Sequence, residues 1–342
     1  MTPMTADRGR RRLLATLPMV ATALYLRPAL ADPSVQHAAR TLMGTRLDMT
    51  VQSDRGVNVS AAISAAFSEM QRQSDMLSRY RIGNPVHALH LCAGLQAVPI
   101  APEMLKVLQM ALQRSQQTKG AFDITVGALT GWNFGQGKNT IPPATEIAEE
   151  LPLVDYRQLV LEVLDEKNAT AYLRRRGMRI DLGGIAKLPI LQAGMQVLKE
   201  HGIRNAMLNA GGDVLVSGQL QGRDWRIGVR DPRSPERILG TVHLNDGFVA
   251  ASGDYERFFI RDGRRFHHIL DPKTGQPTSG PHGVALVART LEDINGLGAA
   301  IMVAGAEAGR AMLKPLHSVD ALIVAPNQGV WLSPGMKQRL QS

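Results

Sequence analysis

Three glycine-rich turns hold the side chains best suited to chemistry in this chain. The first, Asp181-Leu182-Gly183-Gly184-Ile185-Ala186-Lys187, leaves an apolar run and enters a helix at Pro189. Glycines let backbone N–H groups close on a phosphate, a helix N-terminus adds a favourable dipole, and Lys187 supplies a counter-charge. Tight turns also use glycine pairs while binding nothing, so this turn alone does not define a phosphate site. The second, Asn209-Ala210-Gly211-Gly212-Asp213, reads equally well as a hairpin turn. The third, Ala251-Ser252-Gly253-Asp254, presents a hydroxyl and a carboxylate at the end of an apolar strand. Together they raise the case for a ligand with several phosphates without identifying it. His267-His268 precedes Ile269-Leu270-Asp271-Pro272-Lys273-Thr274-Gly275. A strand sends neighbouring side chains to opposite faces, so at most one of the two imidazoles enters a given site. There is no H-E-x-x-H zinc spacing, no G-x-S-x-G elbow and no G-x-G-x-x-G fingerprint. The single cysteine, Cys92, excludes a disulfide scaffold and a cysteine-cluster metal site.

The elements that must position these turns read as a mixture. Leu47–Val51 alternates apolar and polar residues like a half-buried strand. Ala61–Leu77 is helical in character, with Ile63, Phe67, Met70, Ser74 and Leu77 down one face. Glu103–Lys119 reads as a second helix, opened by Pro102 and closed by Gly120. The stretch 133–146 reads as a surface loop or joint. Strands are expected at Leu159–Val163, Thr170–Leu173 and Met178–Leu182, then a helix over Ile190–His201 started by Pro189 and stopped by Gly202. Ala206–Leu208 and Val214–Val216 flank the Gly-Gly-Asp turn as a hairpin. More strands are expected at Trp225–Val229, Gly240–Leu244, Arg257–Ile260 and Val284–Val287, and Gly296–Val303 precedes a final helix. Short strands with interspersed helices and no clean βαβ alternation mean α+β.

Charge narrows the partners. The chain has 342 residues with 39 Lys+Arg, 30 Asp+Glu and a net charge of +9. Residues 1–31 hold Arg8, Arg10, Arg11, Arg12 and Arg27 against Asp7 alone, so close to half of the excess sits there. That segment has a basic start, an apolar run from Leu13 to Leu26 and the small-x-small site Ala29-Leu30-Ala31, the three parts of an export signal. Arg10-Arg11 followed by Leu13-Leu14 resembles a twin-arginine signal. The expectation is an exported, periplasmic protein without an integral membrane segment. The rest of the chain has one basic run, Arg174-Arg175-Arg176, and 4% aromatic residues overall, which argues against nucleic acid.

Taken in order, the turns resemble one family, the ApbE-type FAD:protein FMN transferases. The resemblance starts at Met43-Gly44-Thr45, then Leu77-Ser78-Arg79-Tyr80, then Gly120-Ala121-Phe122-Asp123-Ile124-Thr125-Val126-Gly127 with Trp132 nearby. It continues through the Asp181–Lys187 and Asn209–Asp213 turns and Ser252-Gly253-Asp254-Tyr255-Glu256-Arg257, and closes with His268–Gly275. It implies an α+β, two-lobed flavin transferase domain over residues 32–342, with FAD in the cleft between lobes. FMN is passed to a Ser or Thr of an acceptor flavoprotein subunit in a membrane or periplasmic redox system, and AMP is released. By the same resemblance His268 assists removal of the acceptor proton. Met43, Tyr80, Phe122, Asp123, Asp181, Gly184, Lys187, Ser252, Gly253 and Asp254 meet FAD, and Ala186, Asn295 or Asp293 would serve a Mg²⁺ ion.

Two departures stand out. The family's turn continues Lys-Gly-Tyr-Ala, whereas this chain has Lys187-Leu188-Pro189-Ile190, which restricts the backbone and removes a donor. Asn295 and Ala299 stand where the family has its metal-binding Asp and Thr, which predicts weakened Mg²⁺ affinity. These departures leave a second reading, an FAD-binding relative that has lost transfer and works as a flavin carrier or assembly factor.

Overall fold

The computed structural model describes residues 34–53, 56–135, 139–165, 168–327 and 329–341. The export segment read in residues 1–31 lies outside them. Regular structure starts with a hairpin, β1 (Ser34–Leu42) and β2 (Thr45–Ser53). β2 turns Leu47, Met49 and Val51 inward, as its alternation predicts. α1 (Val59–Leu77) begins where the Asn58 side chain accepts the Ala61 N–H, and it buries Ala62, Phe67, Met70 and Leu77. Next come α2 (Pro85–Leu91), β3 (Val98–Ile100) and α3 (Pro102–Gln117), the last with proline in its first turn. A 3₁₀ turn at Ile124–Ala128 is capped by Asp123. α4 (Ala144–Glu150) starts within the stretch expected to be loop. β4 (Leu159–Val163) and β5 (Ala169–Leu173) then join β3 in a small sheet of order β3-β5-β4.

The second half supplies most of the large sheet. α5 (Lys187–Glu200) leads into the hairpin of β6 (Asn205–Ala210) and β7 (Asp213–Ser217). β8 (Trp225–Asp231) and β9 (Ser234–Leu244) form a separate ribbon, followed by β10 (Asp246–Gly253). β11 (Phe258–Arg261) and β12 (Arg264–His267) form a second ribbon. Then come β13 (Gly283–Ala288), α6 (Leu291–Ile294), α7 (Leu297–Ala304) and α8 (Ala306–Leu313). β14 (Asp320–Val324), β15 (Val330–Leu332) and α9 (Pro334–Arg339) finish the fold.

Eight antiparallel strands run in the order β1-β2-β6-β7-β10-β13-β14-β15. Period-two alternation divides their side chains between two cores. Leu208, Leu215, Phe248, Leu286 and Ile323 join the helices in the main core, while Val214, Val216, Val249, Val287 and Val324 meet Trp225, Ile227 and Val242 of the β8–β9 ribbon. A small aromatic core of Leu129, Trp132, Ile147, Phe259 and Phe266 makes a second lobe that ties the β11–β12 ribbon to the segment after the 3₁₀ turn. The Trp132 indole N–H donates to the Gly275 carbonyl at 2.8 Å, fixing that lobe to the loop after His268.

The fold is α+β, as read from the sequence, with two corrections. Met178–Leu182 is extended but pairs with no strand. The Asp181 N–H donates to the Ile124 carbonyl and the Ile180 N–H to His90 Nε2, so its backbone partners are a turn and an imidazole. Gly296–Val303 does not precede a final helix but largely forms α7, and α8 and α9 follow it.

Candidate active site

A cleft of roughly 1500 Å³, counting its open mouth, lies between the helical face of the sheet and the second lobe. Two hairpin turns form one wall. At the β1–β2 turn both Met43 (φ 54°) and Gly44 (φ 70°) are left-handed, the backbone a two-residue type I′ turn requires. A methionine there is held in a conformation that costs a side-chain-bearing residue free energy, and it lines the cleft. The β6–β7 turn at Gly211 approaches so closely that a Cβ would fall 2.6 Å from Thr45 Oγ1. Only glycine fits that contact.

Three carboxylates of the cleft are closely engaged, while Glu256, also in its lining, reaches Arg230 only at 4.0 Å. Asp181 accepts from Arg79 Nη1 at 2.7 Å and from the Gly183 N–H at 2.8 Å. Burial would raise its carboxyl, but the charge of Arg79 and these bonds hold it below the ordinary value. Asp123 accepts from the Thr125 N–H, the Thr125 hydroxyl and the Tyr156 N–H at 2.6–2.9 Å, and burial still pushes its carboxyl upward. Asp213 pairs with Lys187 at 3.1 Å and accepts the Ala251 N–H, linking β7 to β10. Lys187 opens α5, whose N-terminus has no side-chain cap and follows the Gly183-Gly184 turn. Such an end is suited to an anion. The Leu188-Pro189 departure falls inside the first turn of α5, where a proline forfeits no intrahelical bond, and Leu188 is buried in the core. The helix accommodates both residues, but Pro189 still removes one N–H from the end of α5 that would face an anion.

His268 follows β12 and lines the cleft. Its backbone N–H donates to the Arg257 carbonyl at 3.1 Å, and ring Nδ1 lies 3.3 Å from the same oxygen. That carbonyl can only accept, so Nδ1 carries the proton and Nε2 is left as an acceptor. Burial, reinforced by the charges of Arg257, His267 and Lys187, pushes the imidazole down to about 3. It is a neutral base at ordinary pH. His267 turns the other way, to the Thr278 carbonyl at 2.8 Å, as the two-face argument requires. Arg257 lines the cleft and makes no ion pair among the described residues.

Met43, Phe122, Asp123, Asp181, Gly184, Lys187, Ser252, Gly253, His268 and Asn295 all line this one cleft. Four sequence candidates do not. Tyr80 is 76% exposed, its ring 5.4 Å from the Arg79 guanidinium. Asp254 is buried behind Ser252-Gly253, where Arg265 and His282 take both of its oxygens at 2.9 and 2.8 Å. Ala186 is buried as the residue before α5, and its carbonyl accepts the Ile190 N–H. Asp293 lies in α6 with its carbonyl turned to Arg114. Arg257 and Asp213 stand in motifs the sequence offers but without a role of their own there, and Arg114 stands in none. Arg114 had a legible signal, since it continues the apolar stripe Met104, Val107, Leu108 and Ala111 on α3.

The donors do not fit a Mg²⁺ site at the loop between α6 and α7. Asn295 donates its amide to the Ile185 carbonyl at 2.9 Å and contacts Met110 sulfur, leaving one neutral oxygen, and Ala299 brings a methyl. Among the described residues no group of three His, Cys, Asp or Glu converges on a point.

An antiparallel sheet flanked by helices, with an uncapped helix end and a buried histidine lining one cleft, defines an α+β protein whose site suits an anionic ligand. The ApbE family model matches residues 43–323, and the chain belongs to the ApbE family. It is 32% identical over 318 residues to the FAD:protein FMN transferase of Treponema pallidum, covering 89% of this chain and 88% of that one. It is 28% identical over 313 residues to a Klebsiella pneumoniae FAD:protein FMN transferase, covering 91% and 95%. The crystal structure of the ApbE protein of Thermotoga maritima superposes with a TM-score of 0.82 at 29% identity, over 90% of this chain and all of that one. The Vibrio cholerae flavin transferase ApbE shares the fold, with a TM-score of 0.79 at 23% identity over 90% of this chain.

Proposed function

We propose that this protein is an FAD:protein FMN transferase. The observation that carries the reading is His268, a neutral imidazole with Nε2 free, set in one cleft with Lys187, Arg257 and the open end of α5. The acceptor Ser or Thr hydroxyl gives its proton to His268 Nε2 while its oxygen bonds to the phosphorus on the FMN side of FAD. The bond from that phosphorus to the bridging oxygen breaks, and AMP leaves with the electron pair. Lys187 and Arg257 face the charge that gathers on the phosphoryl oxygens, the main work in such a transfer. A bound pyrophosphate offsets these cations and so raises the imidazole toward a useful basicity. The names carried by the relatives support transfer over a carrier role, although Asn295 and Ala299 favour the latter. Mixing the chain from residue 32 onward with FAD and a flavodomain acceptor distinguishes them. Covalent acceptor fluorescence with AMP release is expected; tight FAD binding with neither product would leave the carrier.

The acceptor is proposed to be a periplasmic or membrane redox subunit, reached after export through the segment at residues 1–31. A fusion of that segment to a reporter should be exported, and Arg10→Lys with Arg11→Lys should retain it in the cytoplasm. Among the described residues no helix is long and apolar enough to cross a membrane.

A further inference from the structure

The loop that lacks metal ligands is held by a buried cation. Arg114 is 5% exposed on α3, yet it makes no ion pair among the described residues. Its Nε donates to the Asn295 carbonyl at 2.9 Å, and Nη2 donates to the Glu292 and Asp293 carbonyls at 2.6 and 3.1 Å. Nη1 reaches Gln117 Oε1 at 3.0 Å. Asn295 and Gly296 line the cleft, and a Cβ on Gly296 would fall 3.2 Å from Arg114 Cγ. A positive charge therefore sits one residue layer behind the cleft wall, solvated by carbonyl dipoles, with no carboxylate at ion-pair distance among the described residues and the Asp293 charge acting on it only from farther off.

We propose that Arg114 takes the place of a divalent cation at this loop, so that this chain holds the nucleotide pyrophosphate, and transfers from it, without metal there. A hard dication asks for several oxygen ligands, carboxylates first. Here it would meet one neutral amide oxygen, a methyl group and a fixed guanidinium, while Asp123, Asp181 and Asp213 are already committed to other partners. A buried charge whose one nearby carboxylate, Asp293, makes no direct ion pair with it is costly to the fold unless something more offsets it. An anion in the cleft does so, and the same field that attracts pyrophosphate repels Mg²⁺. Lys187 and Arg257, which line the same cleft, complete the cationic set. Arg114 touches no reacting atom; it is a positioning residue that also supplies charge.

The inference rests on the cleft's binding FAD, as the proposed function requires, and its test separates the two. FAD affinity of the full chain is measured by flavin fluorescence in EDTA and in Mg²⁺, with Mg²⁺ binding followed by calorimetry. Affinity should agree within about twofold between the two conditions, a difference of about 0.4 kcal/mol. A loss of about tenfold or more in EDTA that Mg²⁺ restores would overturn the proposal. Arg114→Met should weaken FAD binding by about tenfold, with no rescue by Mg²⁺, while Arg114→Lys keeps most of it. A thermal melt checks that each variant is folded. Should Arg114→Met fail that check, Asn295→Asp with Ala299→Thr is compared in the parent background and with Arg114→Gln, which removes the charge but keeps an amide donor for the loop carbonyls. Calorimetry should find a Mg²⁺ site that tightens as the guanidinium is withdrawn from the loop; equal Mg²⁺ affinity in both backgrounds would overturn the electrostatic role. Equal FAD binding in EDTA and Mg²⁺ with no AMP released in either would count against the transferase and leave metal-free binding supported.

Discussion

His268 and Lys187 do different work on the same ligand, and their variants should separate it. His268→Asn removes the proton acceptor while keeping a side chain that can donate to the Arg257 carbonyl. Transfer should fall about 10²- to 10⁴-fold, the usual worth of a positioned base, with FAD affinity changed little. Loss of FAD binding would instead make His268 a ligand contact. Lys187→Met leaves the Asp213 carboxylate facing an anion, so FAD affinity should fall by about tenfold or more. Asp213→Asn, which frees the lysine, should bind FAD at least as well as the parent. Equilibrium fluorescence titration reads both. At this scale much was legible in the sequence, since the glycine turns and His268 announce themselves by type and spacing. Tyr80 and Asp254 lie outside the cleft lining, because adjacency along a turn says nothing of which neighbour faces the cleft. Ser252 and Gly253 line it, whereas the next residue is turned back into an ion pair with Arg265.

The element that positions Asp181 is an extended segment pinned from two sides. Gly127 of the 3₁₀ turn lies so near that a Cβ would sit 2.5–2.8 Å from Ile180 and Asp181 backbone atoms. Backbone cannot rotate away as a side chain can. Gly127→Ala should cost about 1–3 kcal/mol of stability and displace Asp181, weakening FAD binding as well. Denaturant melts and FAD titration would show both losses; a variant that lost neither would mean that the turn is free to shift. On the other side, His90 Nε2 accepts the Ile180 N–H, and burial pushes that imidazole down to about 4. This segment was mistaken for a strand because its composition is strand-like. Its partners come from α2 and the 3₁₀ turn, distant pieces that no local pattern encodes. The β6–β7 hairpin, by contrast, was readable because its turn and both strands are contiguous.

For the whole molecule, the two neutral imidazoles set an acid limit. His90 and His268 titrate near 6.5 when unfolded but are pushed down to about 4 and about 3 in the fold. Between those values the unfolded chain binds more protons, so stability is fully present above 6.5 and is lost as pH falls through the window. Melting temperature should drop steadily from pH 6.5 toward 4, and His90→Gln, which keeps an acceptor for Ile180, should flatten part of that slope. An unchanged slope would assign the acid sensitivity elsewhere. The large sheet also joins β2 to β6 across about half of the described chain, a pairing that sequence reading could not anticipate because only the closed fold brings those edges together. The cleft draws its lining from Met43 through to Val303. A partly folded chain thus cannot own a fraction of the site, and every ligand-binding event is conditional on global closure. Occupancy and folding then become one equilibrium, in which FAD stabilises the native state by RT ln(1 + [L]/Kd) and the empty protein is the form most open to proteolysis.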